Sequence, residues 1–173
     1  MKAKERRNNI LDTLKKEKGT IKGTNLADKY SVSRQVIVQD IAILRAKGQK
    51  ILATPQGYMI LTEDNNKILK TIASKHNGYD AIEDELKTII DLGGKVLDVI
   101  VEHPIYGDIK GNLMLNSRME IDDFIRKIKS EQAEPLATLT DGVHIHTIEV
   151  PNEEVFKKIQ EMLKEKKYLI ENK

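Results

Sequence analysis

Residues 31–48, SVSRQVIVQDIAILRAKG, leave the first third of the chain little choice of fold. Ser33 is a good N-cap, because its hydroxyl can take one of the unpaired amides of a first helical turn. Val36, Ile37, Ile41 and Leu44 then recur at helical spacing, so one face is apolar and must be covered. Gly48 supplies the left-handed backbone that commonly closes such a helix. So short a helix is marginal alone and needs neighbours. Residues 5–17, with Ile10, Leu11 and Leu14 among charges, read as one amphipathic helix, ended by Gly19. Leu26, Ala27 and Tyr30 read as another, capped by Thr24 or Gly23. After Gly48, QKILATPQGYMIL reads as two short strands around TPQG, where Pro55 presets the turn and Gly57 gives a permissive backbone. Three short helices and a hairpin, with YSVS as the turn between helices two and three, is the order of a winged helix-turn-helix.

Such a motif lays its third helix in the major groove of DNA, with the N-terminal residues at the base edges. The apolar stripe decides which side chains are left to read it: Arg34, Gln35, Val38, Gln39 and Ala42. Arg pairs guanine in a bidentate way, Gln pairs adenine, and a small apolar group meets a thymine methyl. Ser31, Ser33 and Lys22 are placed to bond phosphates, and the wing around Gln56 to touch backbone or minor groove. Charge agrees. Residues 1–62 carry 13 Lys/Arg against 5 Asp/Glu, a net of +8, while the remainder carries 16 against 22, a net of −6. A basic front is suited to a polyanion, and an acidic back implies a second unit with a different partner. The basic unit lacks aromatic platforms for stacking single-stranded bases, which disfavours RNA.

The whole chain has 173 residues, room for two small domains. The polar stretch TEDNNK, 62–67, predicts the boundary, giving a DNA-binding domain over 1–62 and a second domain over 63–173. There are no cysteines, which excludes disulfides, thiolate zinc sites and thiol catalysis and is compatible with a cytoplasmic protein. No apolar run approaches the ~20 residues of a membrane span, and the charged N-terminus has no signal-peptide core. Aromatic residues make up only 4%, so the core is aliphatic.

In the second domain the spacing predicts a helix over about 67–76, ending near His76, and another over 80–91, closed by Gly93 and Gly94. KVLDVIVEH and DIKGNLML read as strands joined by PIYG. Residues 118–131 read as a helix, VHIHTIEV as a strand, the segment after Pro151 and Asn152 as a last helix, and YLIE as a terminal strand. The expected class is α+β, with a mostly antiparallel sheet and helices on one face.

Two of the four histidines, His144 and His146, alternate within DGVHIHTIEV. On a strand they share one face about 6.5 Å apart, leaving Val143 and Ile145 on the other, the expected core face. Two imidazoles on one face converge readily on a metal; without one they are two half-buried histidines on a solvated face. His76 and Glu85 are nine residues apart and would oppose each other on one continuous helix. Gly78 breaks that helix, so both remain available. Three histidines and a carboxylate suit zinc, nickel or iron. Spacing alone does not choose Glu85 over Glu83, Asp84 or His103. His103, in EHPIYG, is a ligand, an effector contact or a turn-capping residue.

Together and in this order, SVSRQVIVQDIAILRAKG, ATPQGYMI, VEHPIYGDI and DGVHIHTIE resemble the three-histidine-domain repressors of NAD biosynthesis, the nicotinate-responsive NiaR family. The resemblance spans essentially the whole chain, and the last two motifs are its specific part. It implies a homodimeric repressor of genes for NAD synthesis or niacin uptake. It also implies an N-terminal winged helix-turn-helix on double-stranded operator DNA, a C-terminal three-histidine domain, and nicotinic acid as corepressor. The family's site, one divalent transition metal per subunit (nickel, zinc or iron), falls on His76, Glu85, His144 and His146, with Glu85 aligned through IEDEL. His103 and Tyr106 are candidates for the effector. The alternative is a regulator for which the metal itself is the signal. No HExxH motif and no general base beside these ligands supports an enzyme.

Overall fold

The computed structural model describes residues 1–61 and 67–171. The chain divides into two compact units, Met1–Glu63 and Asp64–Lys173. Apart from residue 67, the expected boundary at 62–67 lies outside the described residues.

The first unit contains helices α1 (Ala3–Lys16), α2 (Gly23–Tyr30) and α3 (Arg34–Ala46), then the antiparallel hairpin β1 (Ile51–Thr54) and β2 (Gly57–Ile60). Ile10, Leu14, Leu26, Ile37, Ile41, Leu44 and Ile51 form its core, so the three apolar stripes read from the sequence meet. The Ser33 hydroxyl accepts from the Val36 amide at 3.3 Å, capping α3 as its sequence predicts. Helix α2 starts two residues earlier than a Thr24 cap would allow and one earlier than a Gly23 cap, with Lys22 at the cap and no side-chain cap bond. The hairpin is also tied where no pattern announces it. Ile21 and Tyr58 exchange backbone hydrogen bonds of 2.8 and 2.9 Å, adding a single bridge to the wing. Gly57 permits this approach, because a Cβ there would stand 2.3 Å from the Ile21 carbonyl oxygen. Asp40, on α3, is buried and paired with Arg6 at 2.6 Å and Arg7 at 3.2 Å on α1.

The second unit runs β3 (Ile68–Lys75), α4 (Tyr79–Asp91), β4 (Lys95–His103), β5 (Gly107–Leu115), α5 (Arg118–Ser130), a short 3-10 helix (Leu136–Thr140), β6 (Val143–Val150) and α6 (Glu153–Glu165). Its sheet has the order β3-β6-β4-β5, and every pair is antiparallel. Leu86 and Ile89 of α4, Ile121 and Ile125 of α5, and Ile159 and Leu163 of α6 pack on one sheet face against Ile72, Val96, Leu115, Ile148 and Val150. This is the expected α+β layer architecture.

Three expectations fail. Residues 68–75 are a strand, not a helix. Ile68, Leu69 and Ile72 fit helical spacing, but the pairing with β6 places Ile68, Lys70, Ile72 and Ser74 on one face, beside Val150, Ile148, His146 and His144. The β6 faces are the reverse of those expected. His144 and His146 point into the core, at 3% and 4% exposure, while Val143 and Ile145 are each 40% exposed. Alternation alone gives the parity of a strand but not the sign of its faces. Finally, YLIE contributes one bridge, Ser74 to Leu169, rather than a strand. Among the described residues, no helix is long and apolar enough to cross a membrane.

Candidate functional site: a buried histidine–glutamate centre and an exposed helix face

The turn before β6 builds the centre. Asp141 and Gly142 have left-handed φ of 52° and 86°, and a Cβ on Gly142 would lie 2.4 Å from the His76 carbonyl. The Gly142 carbonyl accepts the His76 amide at 3.3 Å and the His144 Nδ1–H at 2.8 Å. The end of β3 is thereby clamped to the start of β6. Since β6 presents His144 and His146 on the helical side, both rings lie under α4. There Glu85 is fully buried on the apolar face with Leu86 and Ile89.

All three imidazoles aim at one oxygen. Glu85 Oε2 meets Nε2 of His76 in a short hydrogen bond, Nε2 of His144 at 3.0 Å and Nε2 of His146 at 3.5 Å. The ligating atoms of His76, Glu85 and His144 lie within 4.8 Å of one another. The rings of His76 and His144, and of His144 and His146, meet edge to face with centroids 4.8 Å apart. His144 and His146 donate Nδ1–H to the carbonyls of Gly142 and Asp98, at 2.8 and 2.7 Å. A histidine whose Nδ1 is held by a carbonyl presents Nε2 to a metal.

Electrostatics follow from burial. Desolvation pushes the Glu85 carboxyl upward, but the His146 charge and hydrogen bonds from the three imidazoles outweigh it, and the carboxyl is held well below its usual range. Desolvation pushes the His146 imidazole down, but the charge of Glu85 and its hydrogen bond win and raise it. Three buried atoms here have no partner: His76 Nδ1, Glu85 Oε1 and Ser74 Oγ. Unpaired buried polar atoms cost about 1–3 kcal/mol each, so a cluster of them marks an unfinished site. An oxygen donor and imidazole nitrogens converging in a buried cluster are the donor set of a divalent transition metal. The residues present therefore fit such an ion.

Neighbours that no sequence pattern singled out complete the walls. Ser74, fully buried, is the β3 partner of His144. The Tyr168 ring stands 4.8 Å from His76, and its hydroxyl donates to Asp84 Oδ2 at 2.9 Å. Burial and that bond push the phenol up to about 12. His103 is elsewhere. Its Nδ1 accepts the amides of Ile105 and Tyr106 at 3.2 and 3.3 Å, so it caps its own hairpin turn, where Tyr106 is exposed.

In the first unit, Arg34, Gln35, Gln39 and Ala42 are exposed on α3 and Val38 is half-buried, while Ile37, Ile41 and Leu44 are buried. Lys22, Ser31 and Ser33 are exposed beside the start of the helix. Apart from Val38, the set expected to read bases and phosphates is thus open to solvent on one unit. Ser31 ends α2 in the left-handed conformation, φ 52°, which sets the turn into α3.

Residues 6–59 match a helix-turn-helix domain family, and residues 69–172 match the 3H domain family. The chain is 44% identical over 167 residues to a Thermotoga maritima protein named "Probable transcription repressor NiaR", covering 96% of this chain and 94% of that one. It is 42% identical over 170 residues to the "Transcription repressor NadR" of Bacillus subtilis, with the same coverage of both.

Proposed function

We infer that this chain, which belongs to the 3H-domain family of helix-turn-helix transcription repressors, represses genes of NAD synthesis or niacin uptake with nicotinic acid as its corepressor. The chain is a DNA-binding regulator and not an enzyme. The first unit docks α3 in the major groove of an operator, where Arg34, Gln35 and Gln39 meet base edges and Lys22, Ser31 and Ser33 meet phosphates. Two copies form a homodimer, because one small module reads too few bases for specificity and two half-sites multiply the discrimination. The protein acts in the cytoplasm, where its DNA is.

The observation that carries the regulatory half is the convergence of His76, His144 and His146 on one oxygen of buried Glu85. These four residues would hold one nickel, zinc or iron ion per subunit. Such an ion supplies a fixed positive charge and open coordination positions to which the carboxylate or ring nitrogen of nicotinic acid is attracted. Calorimetric titration of nicotinic acid into metal-loaded and stripped protein, with nicotinamide as control, tests the reading. Binding of nicotinic acid to the loaded form alone supports it. Equal binding to both forms makes the metal structural, and no binding to either form removes the corepressor.

A further inference from the structure

The sheet of the second unit breaks its register once, beside the histidines. Between Val96 and Asp98, strand β4 shifts against both β6 and β5. Leu97 is the extra residue against β6, where Val96 faces Ile148 and Asp98 faces Thr147. A bulge re-aims the residues that follow it. Here it turns Asp98 to the face away from the helices, paired with Thr147, and leaves Val99 beside His146.

Asp98 is 2% exposed and uses three acceptors. Its backbone carbonyl takes Nδ1–H of His146 at 2.7 Å. Its carboxylate Oδ1 takes the amide of Thr147, the next residue of β6, at 3.0 Å. Its Oδ2 meets Nζ of Lys110, reaching diagonally from β5, at 2.8 Å. One residue therefore grips His146 through its ring and through the peptide that follows it. The side-chain bond to Thr147 fixes the Asp98 peptide in the bulge, and that peptide fixes the ring.

We infer that Asp98 is a positioning residue for the metal centre: its carboxylate locks the β4 bulge so that its own carbonyl holds His146 with Nε2 toward Glu85. It rests on the reading of His76, Glu85, His144 and His146 as metal ligands. Partners of this kind typically set metal affinity by about 10–100-fold when removed. Lys110, half-exposed, donates to Oδ2 and balances the charge but does not hold the Thr147 amide.

The test is cobalt(II) titration of the full chain, read by the visible absorption of the bound ion and by the histidine tautomers in long-range proton–nitrogen spectra. Asp98→Asn retains an oxygen for the Thr147 amide, so its affinity stays within about 3-fold of the parent and its bands do not move. Asp98→Ala loses about 10–100-fold in affinity and shifts the bands. Parent-like affinity and bands in Asp98→Ala overturn the inference. If Asp98→Ala does not fold, Asp98→Asn decides alone: a tenfold loss, or His146 no longer protonated on Nδ1 in the loaded protein, overturns it. A parent chain that binds no cobalt at all removes the metal reading, and this inference falls with it.

Discussion

At the scale of single residues, the buried pair of Glu85 and His146 makes the metal-free protein sensitive to pH in a direction opposite to the metal-loaded one. Glu85 is held below its ordinary value of 4.5, so its contribution to stability is fully present above that pH and is lost as pH falls through the depressed value. His146 is raised above its ordinary 6.5, so its contribution is fully present below that pH and is lost as pH rises through the raised value. The stripped protein is therefore most stable between the two ordinary values and weakens on the alkaline side. Metal ligation reverses the alkaline limb, because an imidazole must lose its proton to bind. Melting curves from about pH 6 to about pH 8 then show the midpoint falling for the stripped protein and not for the nickel-loaded one. Parallel curves for the two forms would mean that the ion does not sit on His146.

At the scale of elements, the first unit was legible because each of its devices is local: a cap at Ser33, a stop at Gly48, a stripe on α3. The structure adds the Ile21 bridge, whose trace in the sequence is a glycine with a second duty. Gly57 has φ of 138° and no room for a Cβ beside the Ile21 carbonyl. Gly57→Ala is expected to destabilise the wing by more than ~1 kcal/mol, since alanine is strained at positive φ. The check is hydrogen exchange at the Ile21 and Tyr58 amides, which lose protection first; unchanged protection would show the close approach to be dispensable. The second unit is less legible in its sequence, for physical reasons that individual residues show. Ile68, Leu69 and Ile72 satisfy a helical period as well as a strand, and only the partner strand resolves the ambiguity. Alternation pairs the histidines but does not tell which face they take, because polar side chains in a core are explained only by what they meet there. That meeting partner, Glu85, is one of three neighbouring acidic residues, and spacing could not choose among them. Asp98 and Ser74 have no motif at all; a register shift and a missing hydrogen-bond partner mark them, and both exist only in three dimensions.

For the molecule as a whole, the proposed corepressor in one unit and DNA on the other would be joined by a single coupling free energy, and that requirement is testable without knowing the route between them. If nicotinic acid raises operator affinity by some factor, operator DNA must raise nicotinic acid affinity by the same factor. Couplings of this kind are typically about 5–150-fold. Operator binding by fluorescence anisotropy with and without nicotinic acid, and nicotinic acid binding by calorimetry with and without operator, are expected to give one number. Glu85→Gln keeps the volume of the buried side chain while removing the charge that the three histidines face. In this variant the factor drops to one, and the affinity for operator without nicotinic acid stays at the parent level, because the exposed side chains of α3 are untouched. Lys22→Ala is the complementary case. It weakens operator binding and reduces the salt slope by about 2, as loss of one phosphate contact in each half of the dimer should, but leaves the coupling factor intact. Equal factors that vanish in Glu85→Gln would place the regulatory signal at the histidine centre. Unequal factors would mean that the two measurements are following different equilibria, and a factor that persists in Glu85→Gln would move the effector away from that centre.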